Sequence, residues 1–138
     1  MAKTIFQETE FENAPSSVLY DMFLSSEHHS NIRGGMPADI QPVEGSIWNI
    51  NNGHLYGKVL KLVKDKLIVL SWRSGVTSTA EDLDMIVILR FVQNNNNTIV
   101  ELTHTLIPDE QRYEIYFKNW NERYWAPWKN YINSLNQE

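Results

Sequence analysis

The sequence predicts an α+β fold in which a curved antiparallel sheet of about six strands packs around a long C-terminal helix. Three features indicate this arrangement. A short helical pattern follows Pro15, a series of strand-like segments begins at Ile40, and a long helical pattern follows Pro108. Since no helical crossover separates the strand-like segments, we expect them to pair antiparallel. The simplest packing buries the apolar face of the sheet against the apolar face of the last helix.

Two short helices are predicted after the first strand. In the segment NAPSS, Pro15 suits the first turn of a helix, where its missing N–H is not needed. The pair Gly34-Gly35, followed by Pro37, interrupts the chain and limits EHHSNI to a short second helix. The apolar residues of the first helix share one face at helical spacing: Val18, Leu19, Met22 and Phe23.

The central part of the chain alternates apolar and polar residues with the period of a strand. Asn-Asn-Gly at 51–53 and four asparagines at 94–97 are turn signals between strands. One predicted strand has an apolar face made of Leu83, Met85, Val87, Leu89 and Phe91. The next has an inward face made of Val100, Leu102, His104 and Leu106. Each strand is therefore expected to have one buried face and one face toward solvent.

The final helix carries an unusual concentration of aromatic residues. Its segment NWNERYWAPWKNYI, at 119–132, contains three of the five tryptophans. Pro127 lacks an N–H and its ring clashes with the carbonyl four residues earlier, so a kink is predicted between Arg123 and Pro127. Bulky residues recur at steps of three and four along about seven turns and form what we call the aromatic face: Tyr113, Phe117, Trp120, Tyr124, Trp128, Tyr131 and Leu135.

The aromatic face has two interpretations. It fills the space above the sheet as solid core, or its bulk holds the helix away from the sheet so that a cavity remains. The pattern alone favours solid filling.

Composition and charge exclude several classes of function. The 138 residues suit a single domain, 1–138, and 42% hydrophobic residues suffice for a core. A net charge of −5 without any basic run argues against nucleic-acid binding. With no signal peptide and no long apolar run, a cytoplasmic protein without membrane insertion is predicted. There is no cysteine, and the four histidines lack metal-ligand spacing, so neither a metal nor another cofactor is expected.

Five segments carry a resemblance to a known family: FENAPSSVLYDMF, PVEGSIWNI, HLYGKVLKLVKDKLIVLSWR, TIVELTHTLIP and FKNWNERYWAPWKNYI. Their order resembles the START-like superfamily, also called SRPBCC, with its Bet v-like helix-grip members. Within it, the chain is similar to the group that resembles the C-terminal domain of the activator of the heat-shock-protein-ninety ATPase. One departure is Asn119, where this group commonly has a glycine. The matching positions are Pro15, Gly45, Trp48, Gly57, Val59, Trp72, His104, Pro108 and Trp120.

The resemblance implies a helix-grip fold with a largely apolar cavity between the sheet and the helix. Members of the superfamily carry lipids or other hydrophobic ligands, act as cyclases or aromatases, serve as hormone receptors, or act as co-chaperone modules. The fold therefore does not decide the function. The predicted cavity-lining, ligand-binding residues are Trp48, Trp72, Met85, Val87, Leu89, Leu102, His104, Tyr113, Phe117, Trp120, Tyr124 and Trp128.

Three polar residues near this cavity have open interpretations. Strand alternation places His104 among apolar residues, where it is a buried histidine hydrogen-bonded to a tyrosine, a ligand contact or an acid–base group. Arg73, at a strand end, is either solvated or paired with a carboxylate. Arg33, in NIRGGMP, is expected to be a surface arginine, in the segment where the resemblance implies the cavity entrance.

Three functions remain open at this point. The favoured one is a protein that binds a hydrophobic or aromatic small molecule, such as a lipid, as a monomer or homodimer. The second is a module that binds a chaperone or another protein, for which an exposed apolar patch at Trp125 and Ile132 is predicted. The third is a cyclase- or hydrolase-like enzyme, which would need His104 and either a tyrosine or Arg73 to meet at the cavity. No catalytic residue is assigned.

Overall fold

The computed structural model of the protein describes residues 2–136 and contains one seven-stranded antiparallel sheet. About six strands were predicted, and the observed count includes a strand of only two residues, β2. The strands are β1 (Lys3–Phe11), β2 (Ala38–Asp39), β3 (Ile47–Ile50), β4 (Leu55–Val63), β5 (Leu67–Ser74), β6 (Met85–Asn94) and β7 (Asn97–Ile107).

Two short helices follow β1, and a long helical segment ends the chain, as predicted. The short helices are α1 (Ser16–Phe23) and α2 (Ser26–Ile32). The long segment, which we call the C-terminal helix, consists of α3 (Glu110–Asn119), a π-helical turn (Trp120–Trp125) and α4 (Ala126–Asn136).

The sheet wraps around the C-terminal helix. Its strand order, β1-β7-β6-β5-β4-β3-β2, brings the first strand of the sequence beside the last one. Inward residues of the central strands, such as Leu89 and Leu102, form one buried cluster with Trp120 and Trp128 of the helix. This burial of two apolar faces against each other confirms the predicted α+β helix-grip arrangement.

Gly57 in β4 permits a very close contact between β4, β5 and Trp48 of β3. A Cβ atom at residue 57 would lie 2.0 Å from the carbonyl oxygen of Ser71 and 2.9 Å from the indole nitrogen of Trp48. Because Gly57 has no Cβ atom, Trp48 Nε1 can donate a 3.1 Å hydrogen bond to the Ser71 carbonyl. The Trp48 ring then packs against Trp72, with ring centroids 4.7 Å apart. Gly57 therefore helps to set the position of Trp72.

Two predicted inward residues face solvent instead. Leu83 lies in the loop before β6 and is 73% exposed, so the inward face of that strand begins at Met85. In β7, Leu106 has φ +64° and is partly exposed, while Ile107 is fully buried. An irregularity in the β1–β7 register adds one residue to β7 here and turns Ile107 inward. In α1, similarly, Val18 is partly exposed, and Tyr20 is buried.

The π-helical turn changes which aromatic residues face the core. The backbone N–H of Ala126 donates to the carbonyl of Asn121, five residues earlier, as a π-helix requires. The extra residue in this turn allows Trp125 to be buried as well as Tyr124. Regular α-helical spacing predicted a different set of buried residues. That set included Phe117, which is 45% exposed, and left out Trp125. A kink was predicted between Arg123 and Pro127; the structure has a π-helical turn at Trp120–Trp125, just before Pro127.

The same turn corrects the predicted protein-binding patch. Trp125 and Ile132 are only 4% and 5% exposed. The Trp125 indole N–H donates to Gln7 Oε1 at 2.8 Å, and Gln7 Nε2 donates to the Phe117 carbonyl at 3.1 Å. Gln7 therefore joins the edge strand β1 to the π-helical turn, and Trp125 is part of the core.

The Gly57→Ala variant should be strongly destabilised, because its methyl group would overlap a backbone carbonyl that cannot move without distorting β5. We expect the free energy of unfolding to fall by about 3 kcal/mol, measured by urea denaturation. The matched control is Lys58→Ala, at the neighbouring exposed position, which should stay close to wild type. Equal stabilities of Gly57→Ala and wild type would contradict the close contact described above.

Candidate functional site

A cavity of about 380 Å³ lies beside the first half of the C-terminal helix. The helix forms one wall, and the other walls come from β5, β7, the segment after α2, the β3–β4 turn and the β5–β6 loop. Its sixteen lining residues are Arg33, Met36, Asn51, His54, Leu55, Trp72, Ser74, Val76, Thr77, His104, Ile115, Tyr116, Asn119, Trp120, Arg123 and Tyr124.

The inner wall of the cavity consists of aromatic rings. The ring centroids of Trp72 and Trp120 lie 5.3 Å apart, and those of Trp120 and Tyr124 lie 4.8 Å apart. Tyr116 completes this wall and stacks on the His104 ring at an interplanar angle of 12°. Flat apolar surfaces of this kind suit a ring-containing or aliphatic ligand.

His104 is buried beneath this wall with both ring nitrogens engaged. Trp120 Nε1 donates a 3.0 Å hydrogen bond to His104 Nδ1, so the proton of the neutral ring sits on Nε2. That nitrogen lies 3.4 Å from the sulfur of Met85. Burial lowers the pKa of His104 to about 3. The residue is thus a neutral acceptor for a tryptophan, in place of the tyrosine contact that was one predicted role.

His29 in α2 holds a second ring of the wall. Its Nδ1–H donates to the Phe23 carbonyl at 2.7 Å, which leaves Nε2 to accept from the Tyr124 hydroxyl at 2.9 Å. Burial, with a smaller effect from the positive charge of Arg33, lowers the pKa of His29 to about 4. Burial also raises the pKa of Tyr124, so both groups are neutral at pH 7.

Arg112 in α3 fastens the β5–β6 loop over one side of the cavity. Its Nη1 lies 2.6 Å from Asp82 Oδ2 and 3.1 Å from the Thr77 carbonyl. A backbone N–H of Thr79 and the Arg112 guanidinium both lower the pKa of Asp82. The Thr77 hydroxyl also bonds to the hydroxyl of Tyr116. Two contacts therefore hold the loop on the helix: the ion pair between Arg112 and Asp82, and the hydrogen bond between Thr77 and the wall residue Tyr116.

The two arginines singled out in the sequence have different surroundings. Arg73 is paired with Asp84 at 3.0 Å and also donates to the Thr79 carbonyl, so it stabilises the β5–β6 loop and does not line the cavity. Arg33, expected at the surface, lines the cavity, and its guanidinium carbon lies 4.8 Å from the centroid of the Tyr124 ring.

Four of the twelve predicted residues line this cavity: Trp72, His104, Trp120 and Tyr124. Six others are buried in the packed core: Trp48, Met85, Val87, Leu89, Leu102 and Trp128. Tyr113 is partly buried at the edge of the core. Phe117, contrary to prediction, faces a shallow outer depression beside Gln7 and Trp125.

Twelve lining residues were not among the predicted ones. Six of them lie in loops or turns, where alternation and helical spacing carry no information about direction. Ile115, Tyr116, Asn119 and Arg123 are on the helix, but they lie on the flank of the predicted aromatic face and were therefore not included in it. Within residues 2–136, no group of three or more histidine or acidic side chains is arranged to hold a metal ion. No helix of the described chain is long and apolar enough to cross a membrane.

Stability should fall as the pH is lowered from about 6.5 to about 4, because His29 and His104 stay neutral in the folded state while they bind protons when unfolded. Each histidine contributes a slope of about 1.4 kcal/mol per pH unit in this window. Urea denaturation at several pH values measures this slope.

The control for this prediction removes one of the two buried histidines. His104→Gln keeps an acceptor for the Trp120 N–H but does not titrate, so the slope should be lower than that of wild type by about 1.4 kcal/mol per pH unit. An unaltered slope in His104→Gln would show that His104 does not titrate differently on unfolding.

Comparison with known proteins gave matches by family and by structure. The sequence profile of the family described as "Activator of Hsp90 ATPase homolog 1-like protein" matches residues 13–133. A search among curated proteins gave no match. An HSP90 activator from Plasmodium falciparum has a similar structure at 21% identity, with 90% of each chain covered and a TM-score of 0.76.

Two further solved structures have the same fold at lower identity. The Aha1 dimer from Colwellia psychrerythraea is 16% identical, with 86% of this chain and 88% of that chain covered and a TM-score of 0.72. Ara h 8.0201 is 10% identical, with 97% and 99% covered and a TM-score of 0.77. Since the family profile covers most of the sequence and the structures share the helix-grip fold, the chain belongs to the Activator of Hsp90 ATPase homolog 1-like family of the START-like superfamily.

Proposed function

We propose that this protein binds an apolar or aromatic small molecule, such as a lipid, in the cavity between the curved sheet and the C-terminal helix. The observation that carries the proposal is the cavity itself, about 380 Å³ in volume and walled by Trp72, Trp120, Tyr116 and Tyr124. Ligand sites in proteins are concave, mostly apolar and lined by a few polar groups, with volumes of roughly 300–1,000 Å³.

The hydrogen bonds of the wall support this function. Trp120 is fixed by His104, Tyr124 by His29, and Tyr116 by Thr77. Because these polar atoms already have partners inside the protein, the rings present their apolar faces to the cavity. A binding surface that is fixed in advance loses little conformational entropy when a ligand binds.

A chaperone-associated function is the second candidate. It is supported by the family and by the similarity to the HSP90 activator from Plasmodium falciparum. The apolar patch predicted for that role, Trp125 and Ile132, is buried, however. We therefore rank it below ligand binding.

An enzymatic function has less support from the geometry. Both nitrogens of His104 have contacts inside the protein, and its low pKa makes it a weak base. Arg73, the other predicted participant, is held by Asp84 outside the cavity lining.

The first test is native mass spectrometry of the purified protein, followed by titration with N-phenyl-1-naphthylamine, a neutral aromatic probe that fluoresces in apolar sites. We expect saturable binding of one probe per chain. The Ile115→Trp variant should abolish it, because the larger ring enters the cavity from α3.

The matched control is Val63→Trp. Val63 has nearly the same exposure as Ile115, 39% against 40%, but lies at the far end of β4 from the cavity residue Leu55. This variant should bind the probe like wild type. Absence of binding in wild type, or equal binding by the two tryptophan variants, would refute the cavity as the site, and binding to chaperones would then be tested.

A further inference from the structure

The arginines of the chain divide into two groups according to their partners. Within residues 2–136, three of the five arginines form ion pairs with carboxylates: Arg73 with Asp84, Arg90 with Glu101, and Arg112 with Asp82 and Asp109. The other two, Arg33 and Arg123, form no ion pair in this part of the chain, and both line the cavity. The unpaired guanidinium groups are thus concentrated at one place on the protein.

The cavity is also free of the opposite charge. None of its sixteen lining residues, all within the described chain, is an aspartate or a glutamate. This contrasts with the whole protein, whose net charge is −5. A cavity that is cationic in an acidic protein attracts anions locally, while the remaining surface repels them.

The protein uses only part of the hydrogen-bonding capacity of Arg33, whose guanidinium lies close enough to Tyr124 to lower the pKa of that hydroxyl against the larger, raising effect of burial. A guanidinium group carries five N–H donors. In Arg33 the Nε atom is buried and has no partner within the described chain. The polar contact of Nη2 is a weak one, 4.0 Å from the sulfur of Met36. Since the buried Nε is out of a ligand's reach, the Nη groups at the cavity wall are the donors that remain open to an acceptor.

The backbone around Arg33 fixes the position of this group. Arg33 directly follows α2, and the next two residues, Gly34 and Gly35, have φ values of +74° and +92°. The N–H of Gly35 donates to the Ser30 carbonyl at 2.8 Å and closes the helix end. The Arg33 side chain then lies over the ring of Tyr124, 4.8 Å from its centroid, a cation–π contact that holds the guanidinium against the cavity wall.

We propose that the ligand of this cavity is an amphipathic oxyanion, in which an apolar, ring-containing or aliphatic body carries a carboxylate, sulfonate or phosphate group. The body contacts the aromatic wall, and Arg33, assisted by the exposed Arg123, binds the oxyanion. A planar guanidinium is well suited to this task because it donates two parallel hydrogen bonds to such a group. The inference rests on the proposed function and specifies the chemical class of its ligand.

The test compares two fluorescent probes that share one ring system. 8-Anilino-1-naphthalenesulfonate carries a sulfonate that N-phenyl-1-naphthylamine lacks. Because hydrogen bonds to charged groups are the stronger ones, we expect wild type to bind the sulfonate about tenfold more tightly than the neutral probe. Arg33→Met should remove most of this preference, so that the ratio of its affinities for the two probes falls close to one. Arg123→Met should reduce the preference less, because that side chain is exposed to solvent.

Arg90→Met is the matched control, since it removes the same charge from the exposed, convex side of the sheet. It should bind both probes like wild type. Circular dichroism establishes that each variant is folded, and if Arg33→Met does not fold, Arg33→Gln replaces it. Arg123→Met supplies an independent measure of the same preference.

The possible outcomes separate this inference from the proposed function. Two results would overturn the oxyanion site: equal affinities of wild type for the two probes, or loss of binding of both probes in Arg33→Met. Neither result would contradict ligand binding in the cavity. Binding of the sulfonate that persists in Ile115→Trp would show that it attaches elsewhere on the surface, which also overturns the inference. If wild type binds neither probe, the proposed function itself fails.

Discussion

The π-helical turn at Trp120–Trp125 is the constraint on which the site depends. A regular α-helix directs residues 120 and 124 toward the sheet but rotates residue 125 away from it. By adding one residue to a turn, the chain buries both Tyr124, which faces the cavity, and Trp125, which faces the core beside β1. The carbonyl of Phe117 near this turn accepts from Gln7, so the edge strand compensates for the irregular backbone. Such turns are rare and are often found at functional sites.

The two halves of the C-terminal helix on either side of this turn differ in what they face. After the turn, Trp128 packs on Phe11, with ring centroids 4.9 Å apart, and is fully buried. Before it, Ile115 and Asn119 lie in the same row as Arg123 and face open space. Asn119 supplies a polar side chain at the cavity. The helix thus fills the core with Trp128 after the turn and lines the cavity with Ile115 and Asn119 before it.

The order of helices and strands could be predicted because it depends on local periodicity. Alternation in β6 and β7 correctly placed Val87 and His104 inward. It failed at Leu106, where a register irregularity shifts the pattern by one residue. The spacing rule for the last helix failed at Phe117 because the inward side of α3 runs through Tyr116 and Trp120, which turns Phe117 outward. Arg33 could not be assigned to the cavity from the sequence, since its position depends on where the segment after α2 lies relative to the C-terminal helix.

The cavity stays open because its walls are held by hydrogen bonds as well as by packing. A cavity lined by freely rotating apolar side chains would collapse, since closing it recovers the lost dispersion contacts. Here Trp120, Tyr124 and Tyr116 are each fixed at their polar edge by a partner behind or beside the wall. Tilting any ring into the cavity would break that bond and leave a buried donor unsatisfied, at a cost of roughly 1–3 kcal/mol. The buried histidines are therefore structural supports of the binding surface, and their neutral state at pH 7 is what allows them to accept these bonds.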